Sequence, residues 1–346
     1  MNDWFRDTLL RDIDCVLPEI RARVEVRGGM TIDDIFNVIA YDANNCPIVR
    51  AFGDRTDVYA YDSVSCDDEQ VGELAIAKGE VAFVVLAGGT SASPLTVIPG
   101  LNVSLVAWKV MQGGDMPVWI MTSLAQLDAV GNHVRSLATS PGTKGCVFTQ
   151  FEGYTLTIHD KLSWSCPGIP RTHTLGHGDL GPALLESGLL AENPQVKYLY
   201  VCNVNNVMAS PHEGLLGKHI KQGMQVTREV VDRQSNDVGG VLAWLDRKCG
   251  LQVVEDWCLP RSNVASFHNT NSMILNVDII KSKLDWRWHR MINGNEVEHR
   301  RLLNQYSEEF LTMYVQVPRD SRYIPIKDEM SLNEASKRLM SYEFKR

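Results

Sequence analysis

The sequence predicts an α/β protein built on a mostly parallel sheet with helices on both faces. Three observations carry this. From Val81 onward, short apolar runs (VAFVVLA, PVWIMTS, CVFTQF, KYLYVCNV) alternate with helix-like segments such as SLVAWKVMQ, PALLESGLL and GLLGKHIKQ. The runs are continuously apolar, as strands covered on both faces are. Polar or turn-forming residues follow each run: Gly88-Gly89, Thr122-Ser123, Gln150, and Asn203 to Asn206. In such sheets ligands bind at the carboxyl ends of the strands, where the strand order reverses.

Ahead of Val81 the pattern is weaker. Leu9, Ile13, Val16 and Ile20 recur at helical spacing and predict one amphipathic helix over residues 4–25, closing at Gly28-Gly29. Residues 30–80 read as mixed, with a strand-like FNVIAYDA and a turn-rich RAFGDRTD. The expected organisation is an N-terminal helical or mixed extension over 1–78 and an α/β domain over 79–346.

The bulk numbers exclude several classes. A chain of 346 residues with 44% hydrophobic and 22% charged residues is ordinary for a globular protein with a large core. A net charge of -8 argues against nucleic-acid or anionic-membrane partners, which need a basic face. The eight cysteines are scattered without a CxxC pair, the N-terminus is charged from Asp3, and no apolar run approaches membrane-spanning length. These features predict a reduced, cytoplasmic chain.

Five stretches are candidates for chemistry. VAFVVLAGG brings Leu86, Ala87, Gly88 and Gly89 to a strand end where backbone can approach a ligand closely, or simply turn. GHGDLGPALLESGLL offers Gly176 and Gly178 around His177, with Asp179 placed as a helix N-cap and Pro182 in the first turn. His173 and His177 stand four apart, but the glycines between and after them disfavour a helical metal pair. YLYVCNVNNV ends in Asn203, Asn205 and Asn206, where a carboxylate would be the natural Mg²⁺ ligand; an amide brings no charge. FHNTNS supplies Asn269 and Asn271, neutral groups suited to sugar hydroxyls or to capping a turn. VPRDSRYIPIK clusters Arg319, Arg322 and Lys327, which read as a phosphate clamp or a solvated basic turn.

In their order, these segments together with PVWIMTS, VFTQF and VGGVLAWLDRKCGLQVVE resemble the UDP-sugar pyrophosphorylase family over about residues 70–330. The glucose-type signature GHGDLGPALLESGLL is the most specific part. The resemblance implies a Rossmann-like nucleotidyltransferase core without a C-terminal β-helix domain. It implies a reaction between a nucleoside triphosphate (UTP or GTP) and a sugar- or cyclitol-1-phosphate, with Mg²⁺ as cofactor, giving a nucleotide-sugar and pyrophosphate. Carried over, Leu86, Ala87, Gly88 and Gly89 hold the nucleotide, with Gln150 and Gly176 reading the base. His177, Asn203, Asn269 and Asn271, with Arg319 and Arg322, contact the sugar or its phosphate, and Lys327 acts on the phosphates. Two departures fall on charge: the glycine loop is shortened, with Ser93 where the family places a Lys, and Asn205 stands where it places a metal-binding Asp. A catalytically weakened homologue that binds a nucleotide-sugar or a partner protein is the alternative reading. Arg171, Lys161 and Lys109 are candidate substitute cations.

Overall fold

The computed structural model describes residues 3–26, 34–35, 49–89, 92–137, 145–245, 250–256, 259, 265–282, 284 and 286–341. The strand expected at FNVIAYDA and the helix stop at Gly28-Gly29 lie outside the described residues.

Eleven strands form the main sheet: β1 (Val49–Phe52), β2 (Tyr59–Ala60), β3 (Val81–Leu86), β4 (Val118–Thr122), β5 (Gly145–Thr149), β6 (Tyr198–Asn203), β7 (Val226–Asp232), β8 (Val241–Leu245), β9 (Leu251–Val254), β10 (Phe267–Asn276) and β11 (Thr312–Gln316). Their order is β2-β11-β7-β10-β6-β3-β4-β5, with β1, β8 and β9 attached at the start of β10. Pairing is parallel everywhere along this path except on the two sides of β10, which runs against both neighbours. That one reversal matters for function. It brings the first residues of β10 to the edge of the sheet where the other strands end.

The apolar runs of β3, β4 and β6 are buried on both faces, as the sequence predicts, whereas β5, at the sheet edge, buries only Phe148 fully and leaves Cys146 exposed. In β3, Ala82, Val84 and Leu86 enter one core while Val81, Phe83 and Val85 enter the other. The first core is closed by the N-terminal helices and by Leu180, Ala183 and Leu184. The second is closed by helices Cys66–Ala77, Leu105–Gln112, Leu127–Leu137, Glu213–Lys221 and Glu329–Met340.

The N-terminal prediction needs correcting. The apolar stripe of Leu9, Ile13, Val16, Ile20 and Val24 is buried, but not by one helix. Helix Asp3–Asp14 ends before Pro18, and Leu17 adopts φ -57° and ψ 135°, because a residue before proline is pushed out of the helical region. A short helix, Pro18–Arg21, restarts the stripe with proline in its first turn. Residues 49–77, expected in the extension, supply β1, β2 and a helix to the main sheet and its flanking layer.

Candidate active site

Leu86 of β3 and Asn203 of β6 are register partners on neighbouring parallel strands. From β3 the chain crosses to β4 on one side, while β6 lies on the other, so this is the point where strand order reverses. A cavity of about 680 Å³ opens there, within the size range of small-molecule sites. Its wall includes Leu86, Gly88, Gly89, Gln150, Gly176, His177, Asn203, Asn205, Asn269, Asn271 and Lys327. Eleven sequence-predicted residues, drawn from across some 240 positions of chain, thus meet in one place.

At one end Gln150, buried behind β5, donates from Nε2 to the Gly88 carbonyl at 3.3 Å. A Cβ on Gly88 would stand 2.5 Å from that Nε2, so glycine is required for the approach. The Gln150 carbonyl oxygen has no protein partner among the described residues, which leaves it for a ligand. Gly176 has φ +92°, and a Cβ there would meet the Arg301 carbonyl at 2.7 Å, so its backbone lies directly on the hairpin formed by His289–Asn293 and Glu296–Arg300.

His177 accepts the Leu303 N–H on Nδ1 at 2.9 Å. Burial, with help from Arg228 and Arg300, pushes its pKa down to about 3, so the ring is neutral and its Nε2 carries the hydrogen. The asparagines on β10 are oriented from behind. Buried Arg228 donates to Asn269 Oδ1 at 3.5 Å, Asn269 Nδ2 then donates to Asn271 Oδ1 at 2.9 Å, and the Asn271 amide hydrogens are left for the cavity. Asn271 holds φ +59°, a left-handed backbone that asparagine tolerates better than most residues. Lys327 is exposed, and its ammonium makes no ion pair among the described residues.

Three predicted residues do not line the cavity. Ala87 is 1% exposed and packs into the core, with its N–H on the Met121 carbonyl. Arg322 is buried: its guanidinium donates to both oxygens of Glu229, to the Tyr200 hydroxyl and to the Ser210 carbonyl. A buried arginine paired with a buried carboxylate, its Nη1 on Ser210 Oγ at 3.4 Å, is structural, so its assignment to the sugar or phosphate is corrected. Arg319 is drawn aside by Asp237 and lies over the Tyr323 ring, and its assignment is corrected likewise. Asp179 does precede helix Leu180–Glu186 but does not cap it through its side chain. Its carboxylate instead accepts the Phe151 N–H at 2.9 Å and pairs with buried Arg301 at 2.6 Å. None of the substitute cations reaches the wall: Lys109 is fully buried on the Asn206 and Ala209 carbonyls, and Arg171 pairs with Glu296.

The structure adds residues the sequence reading missed. Glu255, one residue past β9, lines the wall, bound by Asn304 Nδ2 at 2.6 Å, and burial raises its pKa. Arg300 reaches the wall from the hairpin, its guanidinium on Glu298. His268 and Tyr323, joined at 2.9 Å, complete one side. Glu255 follows an apolar run as Asn203 does, so the strand-end logic could have found it. Arg300 carries no such signal.

The donor set does not suit a resident Mg²⁺. Asn205 donates from Nδ2 to the Ile326 carbonyl at 3.1 Å and offers a cation only an uncharged oxygen, and the wall's carboxylate, Glu255, is already bound by Asn304. Among the described residues no three His, Cys, Asp or Glu side chains group to hold a metal. Ser93, where the resemblance expects a Lys, is outside the wall and accepts the Leu95 N–H.

A glycine-lined strand end, neutral amides and a lysine with no ion pair among the described residues thus meet in one cavity at an α/β switch point, the place where such sheets bind small molecules. The family model described as UTP–glucose-1-phosphate uridylyltransferase matches residues 108–343. The chain belongs to this family of pyrophosphorylase-type nucleotidyltransferases. No curated protein matches significantly. Among solved structures, the UDP-N-acetylglucosamine pyrophosphorylase of Trypanosoma brucei, crystallised with an inhibitor, is 15% identical with a TM-score of 0.73, covering 96% of this chain and 81% of that one. A UDP-glucose pyrophosphorylase variant from Leishmania major, in complex with UDP-glucose, is 17% identical with a TM-score of 0.69, covering 94% and 78%. These likenesses establish the fold: a mixed, mostly parallel sheet flanked by helices. No helix among the described residues is long and apolar enough to cross a membrane.

Proposed function

We propose that the chain transfers a uridylyl group from UTP to a hexose-1-phosphate, giving a UDP-sugar and pyrophosphate. The observation that carries this is the convergence of Gly88-Gly89, Gln150, the β10 asparagines and Lys327 on one cavity at the switch point. Uracil would lie against Gly88 and Gly176, with Gln150 reading its edge. The sugar would meet His177, Asn203, Asn269 and Asn271, with Glu255 as a further hydroxyl acceptor.

A phosphate oxygen of the sugar-1-phosphate attacks the α-phosphorus of UTP. The new P–O bond forms as the α–β bridging P–O bond breaks, and pyrophosphate leaves. The nucleophile is already an anion, so no protein base is needed. The protein's tasks are alignment of two polyanions and neutralisation of the charge they bring together. Lys327 supplies the unpaired cation, and Mg²⁺ enters as the counter-ion of the triphosphate substrate.

The test is pyrophosphate release from each ribonucleoside triphosphate against a panel of sugar-1-phosphates, with Lys327→Ala alongside. Release with UTP and one sugar, reduced about 10²–10³-fold in the variant at an unchanged melting temperature, is the expected result. Release that is indifferent to Lys327→Ala would remove that residue from the site. No release with any pair would end the transferase reading.

A further inference from the structure

The turn after β6 is laced to the segment that leads into Lys327. The Ile326 N–H donates to the Asn205 carbonyl at 2.8 Å, and Asn205 Nδ2 donates back to the Ile326 carbonyl at 3.1 Å. The next residue repeats the pattern: Asn206 Nδ2 donates to the Arg322 carbonyl at 3.1 Å and its Oδ1 accepts the Ile324 N–H at 3.0 Å. The peptide plane between Ile326 and Lys327 is therefore held at both ends, its oxygen by Asn205 and its N–H by Ser331 Oγ at 2.9 Å. That plane sets the direction in which the Lys327 side chain leaves the backbone.

We propose that Asn205 is a positioning residue for Lys327, its amide aiming the lysine at the substrate phosphates from a place where a carboxylate would recruit a cation. The inference rests on the transferase reading of Lys327. An ionised carboxylate has no hydrogen to donate and would face the Ile326 carbonyl as one acceptor against another. The amide at this position is thus required by the latch, and the swap from acid to amide exchanges one way of handling charge for another.

The experiment is Asn205→Asp, followed from pH 5.5 to 8.5 at fixed excess Mg²⁺, always relative to the native chain at the same pH. Both UTP affinity, by calorimetry, and transfer to the active sugar-1-phosphate are read. The expected result is a deficit of at least tenfold at pH 8 that shrinks as pH falls, because the protonated acid regains an O–H to donate to Ile326. A variant that performs best at high pH and, in a separate Mg²⁺ titration at pH 8, needs less Mg²⁺ for half-saturation than the native chain would show a cation ligand and overturn the proposal. A second arm combines Asn205→Ala with Lys327→Ala. If Asn205 acts through the lysine, the double variant is no worse than Lys327→Ala alone, whereas multiplying effects overturn the proposal. The calorimetric arm needs no turnover, so failure of the latch and failure of the transferase reading are separately visible.

Discussion

Two asparagine clusters look alike in the sequence and are used in opposite ways. After β6, Asn205 and Asn206 turn their amides on the backbone of residues 322–326 and are consumed in joining two stretches of chain. At the start of β10, Asn269 and Asn271 are bonded to each other and steadied by Arg228, so the outer amide is delivered to the cavity. The difference lies in what stands behind each cluster. Behind the first are bare backbone groups that need partners; behind the second is a buried arginine that already supplies donors. One cluster is scaffold; the other, on the proposed function, is recognition.

The comparison is broken most forcefully through the support of the first cluster. Arg322→Ala leaves Glu229 buried beside Tyr200 with its cation gone. The expected cost is about 3–5 kcal/mol, read as a fall in denaturation midpoint with the m-value unchanged. A loss under 1 kcal/mol would return Arg322 to the ligands. Asn206→Ala comes next. It orphans the Arg322 carbonyl and the Ile324 N–H, for about 1–3 kcal/mol, and activity should fall only as far as folding does.

The second cluster should respond in the reverse sense. Asn271→Gly removes the outer amide while suiting the φ of +59°, so the melting temperature should hold or rise slightly. The KM for the sugar-1-phosphate should rise about tenfold, the worth of one good hydrogen bond to a substrate hydroxyl. An unchanged KM with a lowered melting temperature would make this cluster scaffold too, and the contrast would disappear.

Much of this site could be read from the chain because strand ends announce themselves. The runs ending at Leu86, Thr149 and Asn203 are continuously apolar, and each hands a polar or glycine residue to the same edge of the sheet. Family order then located Lys327. What escaped was whatever depends on a partner far along the chain. Arg322 and Lys327 stand five residues apart in one basic stretch, yet Arg322 is buried because Glu229 waits for it across the sheet. Arg300 arrives on a hairpin whose strands are too short and too polar to register as periodic. Pro18 marks the break in the N-terminal helix, but the apolar stripe continues through it and masks the stop.

The smallest effect separates the two regions by pH. The scaffold rests on the Glu229–Arg322 pair, in which the carboxylate and the hydroxyl of Tyr200 bind the arginine and hold its charge throughout the ordinary range. The recognition side instead carries His177, neutral in the fold because burial lowers its pKa to about 3. In the unfolded chain that ring takes a proton near pH 6.5. Below that value the unfolded state binds a proton the native state refuses, so stability contributed at neutral pH is lost as pH falls from about 6.5 toward 3. Between pH 7 and 5.5 the loss amounts to about 1 kcal/mol. His177→Asn keeps an acceptor for the Leu303 N–H but cannot titrate. Denaturation of the two proteins at pH 7 and 5.5 should therefore show the native chain losing about that much more. Equal losses would mean the ring is protonated in the fold, and a cation rather than a neutral donor would then face the cavity.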